Sequence, residues 1–176
     1  MTDFFDLLLR RRSVRRYTDE AVPREQLEQI VRAGLLSPTG RNRREWEFVV
    51  VEDRETLEQL ATARSGGAAK MLAGAAAAIV VFADSTATDV WCEDCSIAMS
   101  NMHLMAAELG LGSCWIQGRL RTAKDGRTTN ELVRELLGAP EGLELEAVLS
   151  VGVPAQCPAA RTEDDADMTK VHWERF

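Results

Sequence analysis

The chain has 176 residues, of which 45% are apolar and 28% charged, with a formal net charge of −7. That length suits one domain with a real core, and the acidic balance argues against general nucleic-acid binding, which calls for a basic face. The longest apolar run, Met71 to Ala83, falls short of the ~18 residues of a membrane span, and the acidic start Met1-Thr2-Asp3 is unlike a secretory leader.

These features lead to the expectation of a single cytoplasmic domain over residues 1–176 with no membrane partner. In chain order, Phe4, Leu7 and Leu8 give a helical face over residues 3–11, leading into the run Arg10-Arg11-Arg12-Ser13-Val14-Arg15-Arg16. Pro23 at a first-turn position, followed by Leu27, Ile30, Val31 and Leu35, marks a second helix. It should end near Ser37-Pro38, because the residue before a proline avoids the helical region. A second arginine-rich stretch, Arg41-Asn42-Arg43-Arg44, is then a loop, and Trp46 to Val51 is a strand. A helix follows from an Asp53 cap to Ala63, then a Gly66-Gly67 break. Met71 to Ala76 reads as helix or loop, and Ala77 to Ala83 as a fully apolar strand.

The longest element is a helix from Asp89 to Leu109, apolar or small around most of its circumference, as a helix buried on most sides should be. Gly110 closes it, and Ser113 to Ile116 is a short strand. Arg119 to Arg127 is a polar loop. Thr128-x-x-Glu131 is a capping box opening a helix that Gly138 closes. Leu145 to Val153 is the last strand. The remaining tail is polar and irregular up to Val171-His172-Trp173-Glu174-Arg175-Phe176, whose aromatics suit anchoring on a surface, including that of a partner subunit.

Cys92-x-x-Cys95 has the spacing of a redox dithiol, but it lies inside the long helix rather than at a helix start after a strand. Buried helical cysteines are the favoured reading, and His103 and His172 form no metal-ligand pattern with them. No Gly-x-Gly-x-x-Gly or P-loop sequence occurs, and no nucleophile elbow. Eight of the 21 basic side chains lie in the two arginine-rich stretches of an acidic chain. Guanidinium forks with a hydroxyl among them suit a phosphate; a solvated helix end and a polar loop are the plainer readings.

Taken together and in this order, Arg11-Arg12-Ser13-Val14-Arg15-Arg16-Tyr17 and Ser37-Pro38-Thr39-Gly40-Arg41-Asn42 ending at Trp46 resemble the FMN-dependent nitroreductase family. So do the Glu93–Met102 helix segment, Gly110-Leu111-Gly112-Ser113-Cys114-Trp115-Ile116 and the final His172-Trp173-Glu174-Arg175-Phe176. The resemblance implies an α+β nitroreductase-like fold, with a central mixed or antiparallel sheet flanked by helices. It also implies an intertwined homodimer whose C-terminal tail reaches the partner.

By the same resemblance Arg11, Arg12 and Ser13 would bind the FMN phosphate, with Arg161 a looser match to a late phosphate-binding arginine. Arg15 would lie near flavin N1 and stabilise the reduced ring. Pro38, Thr39, Gly40 and Asn42 would cover the partner's flavin, and the Gln117 and Gly118 backbone would face N5. The implied reaction passes electrons in ping-pong fashion from NADH or NADPH through FMN to a nitroaromatic, quinone or similar small acceptor. A dehalogenase or flavin-destructase relative and a non-catalytic flavin-binding module are the alternatives. The chain has Arg44-Glu45 before Trp46 where relatives often have Gln-Pro, and Gly67 near a position where many have asparagine.

Overall fold

Four strands and five α-helices organise residues 3–176, the part of the chain described by this computed structural model. The helices are α1 (Phe4–Arg10), α2 (Arg24–Leu35), α3 (Arg54–Thr62), α4 (Trp91–Glu108) and α5 (Thr129–Leu137). The strands β1 (Trp46–Val51), β2 (Ala77–Asp84), β3 (Gly112–Gln117) and β4 (Leu143–Gly152) form one sheet in the order β1-β2-β4-β3, with every pairing antiparallel. Of the mixed and antiparallel alternatives, the antiparallel sheet is the one observed.

Because side chains alternate across a strand, the central strand β2 serves two cores. Ile79 and Val81 face α2 and α4 together with Leu149 and Val151 of β4. Val80 and Phe82 face α3 and α5 together with Leu145 and Val148. The result is three layers, helix pair on sheet on helix pair. With both faces covered, β2 is buried from Ala77 to Ala83, which is why it reads as an unbroken apolar run.

Local signals set the element ends. The Asp53 carboxylate accepts the Thr56 N–H at 2.9 Å to cap α3. Thr128 and Glu131 form the full capping box of α5, and Gly138 closes that helix in the left-handed conformation. Pro23 sits one position earlier than expected, as the cap of α2 rather than in its first turn. The stretch read as helix or loop contains a 3-10 turn, Lys70–Gly74. Among the described residues no helix is long and apolar enough to cross a membrane.

One irregularity matters for the site. Val81 pairs with Ala147 and Phe82 with Leu145, so Glu146 is an extra residue bulged out of β4.

Candidate functional site

Beyond α1 the chain turns extended at Arg11 and docks on the outer edge of β3. The Val14 N–H donates to the Ser113 carbonyl at 2.9 Å, and Ser13 makes a parallel bridge with Ser113. The close approach depends on Gly112, where a Cβ would meet Val14 Cγ1 at 2.7 Å. Tyr17 pins the far end of the run, its hydroxyl lying 2.8 Å from the Val14 carbonyl and 2.7 Å from Ser150 Oγ.

The tail then folds back over the same run. The Ala155 N–H donates to the Arg16 carbonyl at 3.0 Å, the Arg161 N–H to the Leu9 carbonyl at 2.8 Å, and Arg12 Nη1 to the Ala159 carbonyl. This return brings Arg161 toward Arg11 and Arg12, two positions that sequence separates by some 150 residues. Burial, then the charges of Arg161 and Arg12, lower the pKa of Arg11. Among the described residues none of these three guanidiniums is paired with a carboxylate. Gathering three cations without a counter-charge is unfavourable for an isolated chain; an anion that accepts several N–H bonds at once relieves it.

Beneath the cluster lies a residue that the sequence did not single out. Arg11 Nη1 stands 2.9 Å from His103 Nε2 on α4, and His103 Nδ1 bonds the Ser113 hydroxyl. Burial first, and the Arg11 charge second, lower the His103 pKa to about 4. The imidazole is therefore neutral at pH 7. In the sequence it is one more position on a buried helix face, with no spacing to mark it.

At the other end of β3 the bulge organises the backbone. The Glu146 carbonyl accepts from Gly118 N–H at 3.1 Å and Arg119 N–H at 2.9 Å, and Glu146 Oε1 lies 3.2 Å from Gln117 Nε2. In an antiparallel ladder successive N–H groups point to opposite edges. With the Gly118 N–H turned inward to Glu146, the Gln117 N–H falls on the outer edge, the one the Ser13–Val14 run also joins at Ser113. Of the two backbone donors expected there, only Gln117 has its N–H on the open side. Four residues of strand separate it from Ser113, about 13 Å at 3.3 Å per residue. Arg15 is exposed, its Nη1 lies 3.4 Å from the Ser13 carbonyl, and its charge lowers the Cys114 thiol pKa against the dominant upward push of burial.

The loop holding Pro38, Thr39, Gly40 and Asn42 is not brought to this cluster within one chain. It caps the other end of α4, where both Asp94 carboxylate oxygens accept the Gly40 N–H at 3.0 and 2.9 Å. Asp94 and His103 are nine residues apart, about 13 Å along the helix. Arg41, Asn42 and Arg44 all take positive φ, 54°, 55° and 52°. Three non-glycine residues in the left-handed region within four positions is a concentration of strain typical of functional loops. The Thr39 hydroxyl accepts from the Arg44 N–H and Asn42 Oδ1 from Arg44 Nε, at 3.2 and 3.0 Å.

Three carboxylates, Glu45, Asp94 and Glu146, are buried; Glu45 stood out in the sequence only as a departure from relatives, and nothing there marked Asp94 or Glu146. Among the described residues neither oxygen of Glu45 meets a partner in good hydrogen-bond geometry, and burial, with the neighbouring Asp94 carboxyl adding, raises its pKa. Gly67 has φ +69°, and a Cβ there would meet the Lys70 side chain at 2.6 Å, so Lys70 occupies the space of a side chain at that position. Burial pushes the thiol pKa of Cys92 up to about 11 and raises that of Cys95, opposite to what a reactive dithiol needs. Both are free thiols, and among the described residues no group of His, Cys, Asp and Glu is arranged to hold a metal.

Comparison with known proteins identifies the family and the fold. The family model for the nitroreductase family matches residues 8–70 and 63–153. A protein of Archaeoglobus fulgidus, provisionally named an NADH dehydrogenase/NAD(P)H nitroreductase, is 35% identical over the whole of both chains. Among solved structures, an FMN-dependent nitroreductase from Clostridium difficile R20291 superposes with a TM-score of 0.95 at 42% identity, covering 98% of this chain and 99% of that one. A provisionally named nitroreductase from Desulfovibrio desulfuricans, solved in complex with FMN, gives a TM-score of 0.75 at 30% identity over 100% of this chain and 99% of its own. Matched along most of its length by family, relatives and structures alike, the chain belongs to the nitroreductase family.

Proposed function

We propose that this chain is an FMN-dependent oxidoreductase, drawing electrons from NADH or NADPH and passing them to a small acceptor of the nitroaromatic or quinone class. The observation that carries the reading is the cluster of Arg11, Arg12 and Arg161, to which no carboxylate among the described residues is paired, with Ser13 beside it at one end of an open strand edge. FMN has a phosphate for that cluster and, a sugar-alcohol chain away, a ring for the other end. The FMN named for two of the solved relatives supports the same cofactor.

Bound flavin would supply the chemistry, two-electron transfer between a nicotinamide donor and a small acceptor. The protein's part is binding, orientation and electrostatics. Arg11, Arg12, Arg161 and the Ser13 hydroxyl hold the phosphate through charge-assisted hydrogen bonds. The Gln117 N–H, fixed by the Glu146 bulge, is a rigid donor for the ring edge. Arg15 supplies positive charge where reduction leaves negative charge, so it favours the reduced form. Pro38, Thr39, Gly40 and Asn42, remote from the cluster in their own chain, cover the ring bound to the partner in a homodimer. Donor and acceptor would reach the flavin at this same strand edge in turn, and ping-pong kinetics would follow.

The purified protein should be yellow with the two-band flavin spectrum, and anaerobic NADH or NADPH should bleach it. Colourless protein that takes up no added FMN overturns the proposal. A yellow protein that neither nucleotide bleaches points instead to a non-catalytic flavin-binding module.

A further inference from the structure

We propose that His103 is a positioning residue for the cofactor phosphate: its unprotonated Nε2 accepts a hydrogen bond from Arg11, and Ser113 holds its other ring nitrogen, so that the guanidinium is aimed before the phosphate arrives. The inference rests on the assignment of the arginine cluster to the FMN phosphate.

Arginine has donors only, so the 2.9 Å contact of Arg11 Nη1 with His103 Nε2 requires that nitrogen to be the acceptor. The ring proton of the neutral imidazole is then on Nδ1, where it is donated to the Ser113 hydroxyl. Ser113 is also the residue whose carbonyl receives the Val14 N–H. One side-chain relay thus ties α4, β3 and the arginine run together beneath the cluster. The charged group facing the imidazole is Arg11, with Arg12 and Arg161 beyond it; further along α4, Glu108 is engaged by Arg10 at 2.7 Å.

The choice of a neutral acceptor has a reason. A carboxylate under Arg11 would orient it equally well, but would neutralise it and compete with the incoming phosphate. An imidazole held neutral by burial orients the guanidinium and leaves its full charge for the ligand. Arginine also loses much rotamer freedom on gripping an anion, and a side chain already fixed loses less. Protonating His103 would set a donor and a like charge against Arg11, so the relay works in one protonation state only.

The test compares FMN with riboflavin, which lacks the phosphate, by flavin fluorescence quenching on refilled apoprotein. His103→Phe should raise the Kd for FMN about tenfold or more, as loss of a buried hydrogen-bond acceptor does, while the riboflavin Kd stays within about twofold. His103→Gln, which restores an acceptor oxygen, should lie within about threefold of the unmodified protein for both ligands. Arg11→Ala is the control for the underlying assignment. If it fails to weaken FMN selectively, the phosphate assignment is wrong. If it does so and His103→Phe weakens neither ligand, or both equally, the positioning role is wrong. Should His103→Phe not fold, ring ¹⁵N NMR of the unmodified protein decides. A neutral ring protonated at Nδ1 at pH 7 supports the relay, and an imidazolium or an Nε2–H tautomer overturns it.

Discussion

His103 meets Arg11 as an acceptor, and that makes the stability of the protein depend on pH in a defined direction. Its folded pKa of about 4 lies below the ordinary 6.5. As pH falls through 6.5 the unfolded chain takes up the proton first, so unfolding is favoured; the contribution is complete above 6.5 and lost by about pH 4. At 1.36 kcal/mol per unit the loss is about 3 kcal/mol. Acid also titrates carboxylates, so the measure is a difference. Chemical denaturation between pH 7 and 4 should show a steeper fall for the unmodified protein than for His103→Gln, and parallel curves would mean that the ring titrates normally. This residue shows where sequence reading stops. Arg11, Arg12 and Ser13 were conspicuous in the sequence, four arginines and a hydroxyl in six positions of an acidic chain. Their assignment to a phosphate came from the family resemblance, since a solvated helix end is the plainer reading of the run alone. His103, Asp94 and Glu146 were not conspicuous, because each acquires its role from a tertiary neighbour: Arg11, the Gly40 amide and the Gly118 amide.

At the scale of elements, β3 acts as a ruler. The arginine run docks near its start and the bulged Glu146 fixes the backbone at its end. Gly112 sets the first of these contacts. Gly112→Ala would place a Cβ 2.7 Å from Val14 Cγ1 and 2.9 Å from Val14 Cβ, so the run must shift outward. The expected cost is about 1–3 kcal/mol of stability, as for other overpacked sites, together with weaker FMN retention. Thermal unfolding and flavin content after gel filtration measure the two effects; a variant equal to the unmodified protein in both would show that the docking is loose. The elements themselves were largely readable. β1 spans the Trp46–Val51 stretch read as a strand, and α3 and α5 start at the caps their sequences advertise. The bulge at Glu146 had no such signal, because it arises from register against β2 rather than from a local pattern. The strained loop from Arg41 to Arg44 was read as a loop, but nothing in its sequence marked the three positive φ angles or the anchoring of Gly40 on Asp94.

For the whole molecule, the apolar surface is the unresolved cost of a single chain. Phe4, Phe5 and Leu8 of α1 are exposed, as is Ile97 of α4, and Trp173 and Phe176 of the tail are 83% and 107% exposed. Phe176 stacks only on the neighbouring His172 ring, at 4.1 Å between centroids, so both aromatics leave most of their area in water; set on a second copy, each buries the kind of area that dominates interface energies. The same dimer would carry the Pro38–Asn42 loop to a site its own chain cannot reach. Deleting residues 166–176 removes the aromatic end of the tail while keeping Arg161 inside the chain, with the new terminal carboxylate four residues beyond it, and so separates the two roles of the tail. The full chain should sediment at twice its monomer mass, with a melting temperature that rises with protein concentration. The truncated chain should shift toward monomer and lose FMN even though its arginines remain, because the ring would lack the partner's loop. A truncated protein that sediments as the full dimer and keeps its flavin would show that the interface lies on the helices alone. In that case the exposed faces of α1 and α4, rather than the aromatic tail, hold the two copies together.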